Sequence, residues 1–229
     1  MNERRTEHKQ MVVLDLNGTL LWRGPRKDDR SRNAYPRPHL GELLQFLADN
    51  FAVMVWSSAQ PDSVHEMMTK ILAPHYQQFV RVWDRRYCDL DGEYFSKAKT
   101  VKDLNRICNG FSLEDSPNRD VYKTYNGYKG ACVDTKDRWT LENMLIVDDS
   151  ESKTELQKDN HIFVSTFESP IERKSAGLPP DDELLKLKHY LELYTRQKDT
   201  YPNLLAYLTA HPWIAFRDAS SDNRKQQSQ

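Results

Sequence analysis

The stretch MVVLDLNGTLLW, Met11 to Trp22, decides how this chain is read. Met11, Val12, Val13 and Leu14 form an unbroken apolar run of strand length, as expected of a strand buried on both faces. The run ends in Asp15, Asn17, Gly18 and Thr19, a polar turn softened by glycine. Open α/β sheets present reactive groups at such strand ends. Chemistry on a turn of this kind calls for two acids, and this one offers an acid, Asp15, and an amide, Asn17. Taken alone, the stretch is equally an ordinary strand entering a turn, because Asn-Gly is a favoured turn pair.

Further runs of strand length follow at Ala52–Trp56, Val80–Trp83, Met144–Val147 and Ile162–Val164. Between Met11–Leu14 and Ala52–Trp56, PHLGELLQFLADN sets Leu40, Leu43, Leu44 and Leu47 at helical spacing. PDSVHEMMTKIL opens on Pro61 and aligns Val64, Met67, Met68 and Ile71 on one face. Alternating strands and helices predict an α/β fold, Rossmann-like, with a mostly parallel sheet flanked by helices. The leucines of Asp181–Ala210 predict one or two C-terminal helices against that sheet. The expected boundaries are an N-terminal extension at 1–10, a domain at 11–215 and a disordered tail at 216–229. A polar segment at about 110–138, with Tyr122, Tyr125 and Tyr128, reads as a small insertion. Gly24–Pro38 reads as a basic loop whose arginines, from Arg23 to Arg37, stand beside the first turn and could meet a phosphorylated or acidic substrate.

Composition narrows the function classes. With 38% hydrophobic and 29% charged residues, the 229-residue chain can bury a sizeable core. A formal net charge of -1 argues against a surface that grips nucleic acid as a whole, which leaves the basic loop 23–37 as the place for any such contact. No apolar run approaches the roughly 18 residues of a membrane span. The first ten residues lack the apolar segment of a secretory signal, and Cys88, Cys108 and Cys132 lack metal-site spacing. The expectation is an intracellular protein, nuclear or cytoplasmic, with reduced thiols and no membrane attachment.

Three of the apolar runs lead into polar groups, the first into Asp15 and Asn17. WSSA offers Ser57 and Ser58, IVDDSESK offers Asp148 and Asp149, and TVKDLNRI offers Lys102 at what reads as a helix start. Clustered carboxylates suit Mg²⁺, which prefers oxygen ligands. A hydroxyl and an ammonium can neutralise phosphate oxygens, and an aspartate can attack phosphorus. Each part has a plainer reading: Asp148-Asp149 as a helix cap, and Lys102 as a solvated lysine rivalled by Lys97, Lys99, Lys129 and Lys136.

As an ordered set, VVLDLNGTLL, VMVWSSA, VKDLNRI and NMLIVDDSESK resemble the four motifs of the haloacid dehalogenase superfamily, and within it the FCP/SCP-type (NLI-interacting factor-like) phosphatase domain. The resemblance implies a Mg²⁺-dependent phosphatase acting on phosphorylated protein, at phosphoserine or phosphothreonine, through an aspartyl-phosphate. It casts Asp15 as nucleophile and metal ligand, Asp149 as metal ligand with Asp148 beside it as another, and the backbone carbonyl of Asn17 as a further ligand. Thr19 orders the first loop, Ser57, with Ser58 as rival, binds phosphate, and Lys102 is the third-motif lysine, catalytic and phosphate-binding. The family carries an aspartate as general acid and base where this chain has Asn17. The expected result is a weak or specialised phosphatase; the alternative is a pseudophosphatase that binds a phosphorylated or protein partner.

Overall fold

β1 (Met11–Leu14) is buried at all four residues, and its side chains alternate between two cores. Val12 and Leu14 face one cluster, Met11 and Val13 the other, as the period of two requires. The computed structural model describes residues 9–26, 32–121 and 139–227. Around β1 the chain adds β2 (Leu21–Arg26), β3 (Arg32–Pro36), α1 (Leu40–Asn50), β4 (Ala52–Trp56) and α2 (Pro61–Lys70). Then come β5 (Phe79–Trp83), β6 (Asp89–Asp91), β7 (Lys99–Val101), α3 (Asn105–Cys108), β8 (Met144–Asp148) and β9 (His161–Phe163). The chain closes with α4 (Pro170–Ser175), α5 (Glu183–Gln197), α6 (Leu204–Ala210) and α7 (Trp213–Gln227).

The main sheet runs β5-β4-β1-β8-β9, and every pairing in it is parallel. Buried apolar residues of α1, α2, α5 and α6 form the core on one face. Ile107 of α3, Leu104, Trp83, Cys88 and Trp139 close the other. The sheet is thus flanked on both sides, as expected of an α/β fold of this type.

The hydrophobic patterns account for the strands and for α1 and α2. Three features differ from expectation. Gly24–Pro38 is no simple loop: β2 and β3 pair antiparallel across it, with Trp22 against Tyr35 at 5.9 Å. Gly24, Pro25 and Pro36 interrupt the alternation that announces a hairpin. Lys102 begins no helix but follows β7, which pairs with β6 in a second short ribbon. The tail expected to lack order from 216 lies, as far as Gln227, in α7, which Trp213 and Phe216 anchor against Tyr190. Of the insertion, 122–138 lies outside the described residues, with Tyr122, Tyr125, Tyr128, Lys129, Cys132 and Lys136. Among the described residues, no helix is long and apolar enough to cross a membrane.

Candidate active site

The sheet register assembles the acids. β1 and β8 pair with Leu14 beside Val147, so the next residues, Asp15 and Asp148, emerge side by side. The Asp15 amide donates to the Val147 carbonyl at 3.0 Å, which extends the ladder to the strand end. Both carboxylates are buried, and the Lys102 ammonium joins them, 2.7 Å from Asp15 Oδ1 and 2.5 Å from Asp148 Oδ2. Lys102 is itself wholly buried, and its amide donates to the Lys153 carbonyl at 2.8 Å. Burial alone would discharge the lysine, but Asp148 and Asp15 outweigh it and raise its pKa. Burial likewise opposes the Asp148 charge, yet Lys102, with Lys153, holds that carboxyl below the usual range.

Asp149 has the opposite balance. Burial, then the neighbouring Asp15 charge, raise its pKa, and its Oδ1 is buried without a hydrogen-bond partner among the described residues. Asp15, Asp148 and Asp149 each bring an oxygen within 4.8 Å of the others. Both Asp148 oxygens are already engaged, Oδ2 by Lys102 and Oδ1 by the Ser150 amide at 2.9 Å. Asp149 therefore has the oxygen to spare for a cation. Gly18 makes room for it: with φ at 91°, a Cβ there would stand 2.2 Å from Asp149 Oδ2.

Thr19, buried, donates to Asp15 Oδ2 at 3.5 Å. Ser57, at the end of β4 and 2% exposed, accepts the Ala59 amide at 3.2 Å, which leaves its hydroxyl proton for another partner. Asn17 is exposed, and its side-chain oxygen accepts the Arg23 amide at 2.8 Å. Asp15, Asn17, Ser57 and Ser58 line one cleft of about 650 Å³, together with Arg23, Arg32, Asp62, Glu66 and Arg85. Lys153 also lines it, 3.6 Å from Asp148 and 3.9 Å from Asp149. Asp15 first, then the other two acids against burial, raise the Lys153 pKa.

The sequence reading did not single out Lys153; its signal was its place four residues after Asp149. Of the rival lysines, Lys97 is exposed and Lys99 pairs with Glu155 at 2.6 Å. The basic stretch divides: Arg23 and Arg32 reach the cleft, whereas Arg37 is 1% exposed and does not. Arg37 forks onto Asp181 at 2.8 and 3.0 Å and donates to the Thr19 carbonyl at 3.1 Å. Cys88 is buried in the core containing Leu104 and Trp56, its thiol pushed by burial up to about 12, so it is no nucleophile.

The family model for NLI interacting factor-like phosphatases matches residues 10–201. The chain belongs to that family. It is thereby a phosphatase domain of the FCP1-homology type, within the haloacid dehalogenase superfamily. A relative in Schizosaccharomyces pombe, an uncharacterized FCP1 homology domain-containing protein, is 31% identical over 96% of this chain and 84% of its own length. A CTD phosphatase-like protein of Invertebrate iridescent virus 3 is 25% identical over 81% of this chain and 97% of its own. In fold, the chain resembles the solved structure of Fcp1, an essential RNA polymerase II CTD phosphatase, with a TM-score of 0.51 at 14% identity. That match covers 85% of this chain and 66% of the Fcp1 chain.

Proposed function

We propose that this phosphatase domain hydrolyses phosphoserine or phosphothreonine in protein, with Mg²⁺, through an aspartyl-phosphate on Asp15, and that Asn17 makes it slow on such substrates. The observation that carries the reading is the buried Asp15–Lys102–Asp148 bridge at the strand ends, with the spare oxygen of Asp149 beside it. Three carboxylates face the two ammoniums of Lys102 and Lys153, so one net negative charge awaits a cation. Hard oxygen donors of this kind suit Mg²⁺, which Asp15, Asp149 and the Asn17 backbone carbonyl would hold. When bound, the ion supplies positive charge that lets a carboxylate approach a phosphate dianion.

Lys102 pins Asp15 Oδ1, which leaves Oδ2, held only by the long Thr19 contact, to attack phosphorus in line with the ester oxygen. Ser57 donates its hydroxyl proton to a phosphoryl oxygen, and Lys153 meets another. As the Oδ2–P bond forms, the P–O ester bond breaks and the leaving alkoxide needs a proton. The Asn17 carboxamide has none to give, nor can it take one from the water that then cleaves the acyl phosphate. Loss of a general acid or base costs about 10²–10⁴ in rate. Aryl phosphates, whose leaving groups need no proton, are spared the loss in the first step but share the loss in the hydrolysis of the acyl phosphate.

The test compares the native protein, Asn17→Asp and Asp15→Asn on p-nitrophenyl phosphate and phosphoserine peptides with Mg²⁺. The native chain should cleave the aryl phosphate, Asn17→Asp should gain about 10²–10⁴ on phosphopeptides, and Asp15→Asn should be inert on both. Native-like rates in Asp15→Asn would sink the reading. One observation favours a phospho-ligand binding module without turnover: Asn17 commits its oxygen to Arg23, so its amide nitrogen remains to donate to a bound phosphate. All three proteins inert, with phosphopeptide still bound, is the result for that reading.

A further inference from the structure

We infer that His161 is a positioning residue: its ring ties the Asp148 carbonyl to Thr154 and so fixes the loop that carries Asp149 and Lys153. The inference rests on the Mg²⁺ and phosphate site proposed above and adds a residue no motif contains. His161 opens β9, opposite Ile146 of β8, and is partly buried. Its Nε2 lies 3.0 Å from the Asp148 carbonyl oxygen and its Nδ1 lies 2.9 Å from Thr154 Oγ1. A carbonyl only accepts, so Nε2 carries a proton. The ring's Nδ1 meets the Thr154 hydroxyl, which also lies 3.3 Å from the Glu151 carbonyl within the same segment.

The ring thus spans both ends of the segment 148–154, the chain that leaves β8. Asp149 and Lys153 sit on this segment, and the Lys153 carbonyl also receives the amide of Lys102. One imidazole therefore governs the placing of the spare carboxylate, the cleft ammonium and the backbone of the bridging lysine. It contacts neither substrate nor metal and acts through these groups.

Gln and Asn divide the ring's two functions. The His161→Gln amide nitrogen can reach the Nε2 position and keep the donor to Asp148, while His161→Asn keeps a polar atom near Nδ1 only. Mg²⁺ affinity would be measured by titration calorimetry with the metal alone, alongside kcat and KM on p-nitrophenyl phosphate and melting temperature. Partners that hold metal-site residues in place contribute about 10–100-fold in affinity or rate. The expected result is that His161→Ala and His161→Asn lose about tenfold or more in Mg²⁺ affinity and kcat, with KM near native and His161→Gln close to native. Thr154→Val should lose less, in the same direction, and it stands in if His161→Ala fails to fold. The inference is overturned if the Ala, Asn and Val variants bind Mg²⁺ as the native protein does, or if Gln falls as far as Ala. A native chain that binds no Mg²⁺ overturns the underlying reading and this inference with it. A native chain that binds Mg²⁺ without turnover leaves the affinities to decide.

Discussion

Asp149→Asn should make the metal-free protein more stable. The Asp149 side chain is 12% exposed, and its Oδ1 has no hydrogen-bond partner among the described residues. The charges around it do not offset its burial: Asp15 and Asp148, each with an oxygen within 4.8 Å, oppose its charge, and Lys153 at 3.9 Å favours it. The buried, unsatisfied oxygen by itself costs about 1–3 kcal/mol. An amide removes the charge but stays polar, so a gain near the lower end is expected, about 1 kcal/mol, or a rise of about 2–4 °C in Tm for a chain of this size. The raised pKa gives the sign with pH. The folded state holds this proton more tightly than the unfolded state, so the penalty is complete above the raised pKa. It fades as pH falls through that value toward the ordinary carboxylate pKa of about 3.9. Calorimetric melting in EDTA at neutral pH should therefore rank Asp149→Asn above the native protein, with the gap closing on acidification. Saturating Mg²⁺ should reverse the order, because ligand at about 100 Kd adds about 2.7 kcal/mol only to the protein that binds it. A lower Tm for the variant in EDTA, or an equal Mg²⁺ response in both proteins, would refute the reasoning.

Gly18→Ala should abolish Mg²⁺ binding and aryl phosphate turnover together, because the new methyl would stand 2.2 Å from Asp149 Oδ2 on a backbone with φ at 91°; calorimetry and a phosphatase assay check it. Asp181→Ala leaves the Arg37 guanidinium buried without its anion and should cost about 3–5 kcal/mol, read from urea unfolding. Lys102→Met strands two adjacent buried carboxylates and should cost about as much at neutral pH. Part of that loss should return as acid protonates one of them, which melting between neutral and mildly acidic pH would show.

The parallel sheet was legible because strands buried on both faces are written as unbroken apolar runs, such as Met11–Leu14 and Met144–Val147. The acids at their ends followed, since adjacent parallel strands of matching register deliver neighbouring side chains. Shorter elements left no such trace. β6 and β7 have three residues each, too few for a period, so Lys102 read as a helix start instead of the exit from a ribbon. Nothing local separates Arg37 from the other arginines of its stretch, because its burial depends on Asp181, 144 residues away. Lys153 was hidden in the same way, as one lysine in a charged segment. The tail's composition suggested disorder, but two aromatic residues, Trp213 and Phe216, suffice to dock the start of its helix.

The Asn17-Gly18 turn also bears on how the protein ages. An asparagine before glycine is the pair most liable to close on itself, the glycine nitrogen attacking the carboxamide carbon to give a cyclic imide and then aspartate or its isomer. Here the Gly18 nitrogen donates to the Leu21 carbonyl at 2.8 Å, and the Asn17 oxygen is held by Arg23. Both reaction partners are tied to β2 by hydrogen bonds, which hold them against the movement that spontaneous hydrolysis needs. Residue 17 is then no dormant aspartate that time would switch on, and a stored sample should keep the same group there as a fresh one.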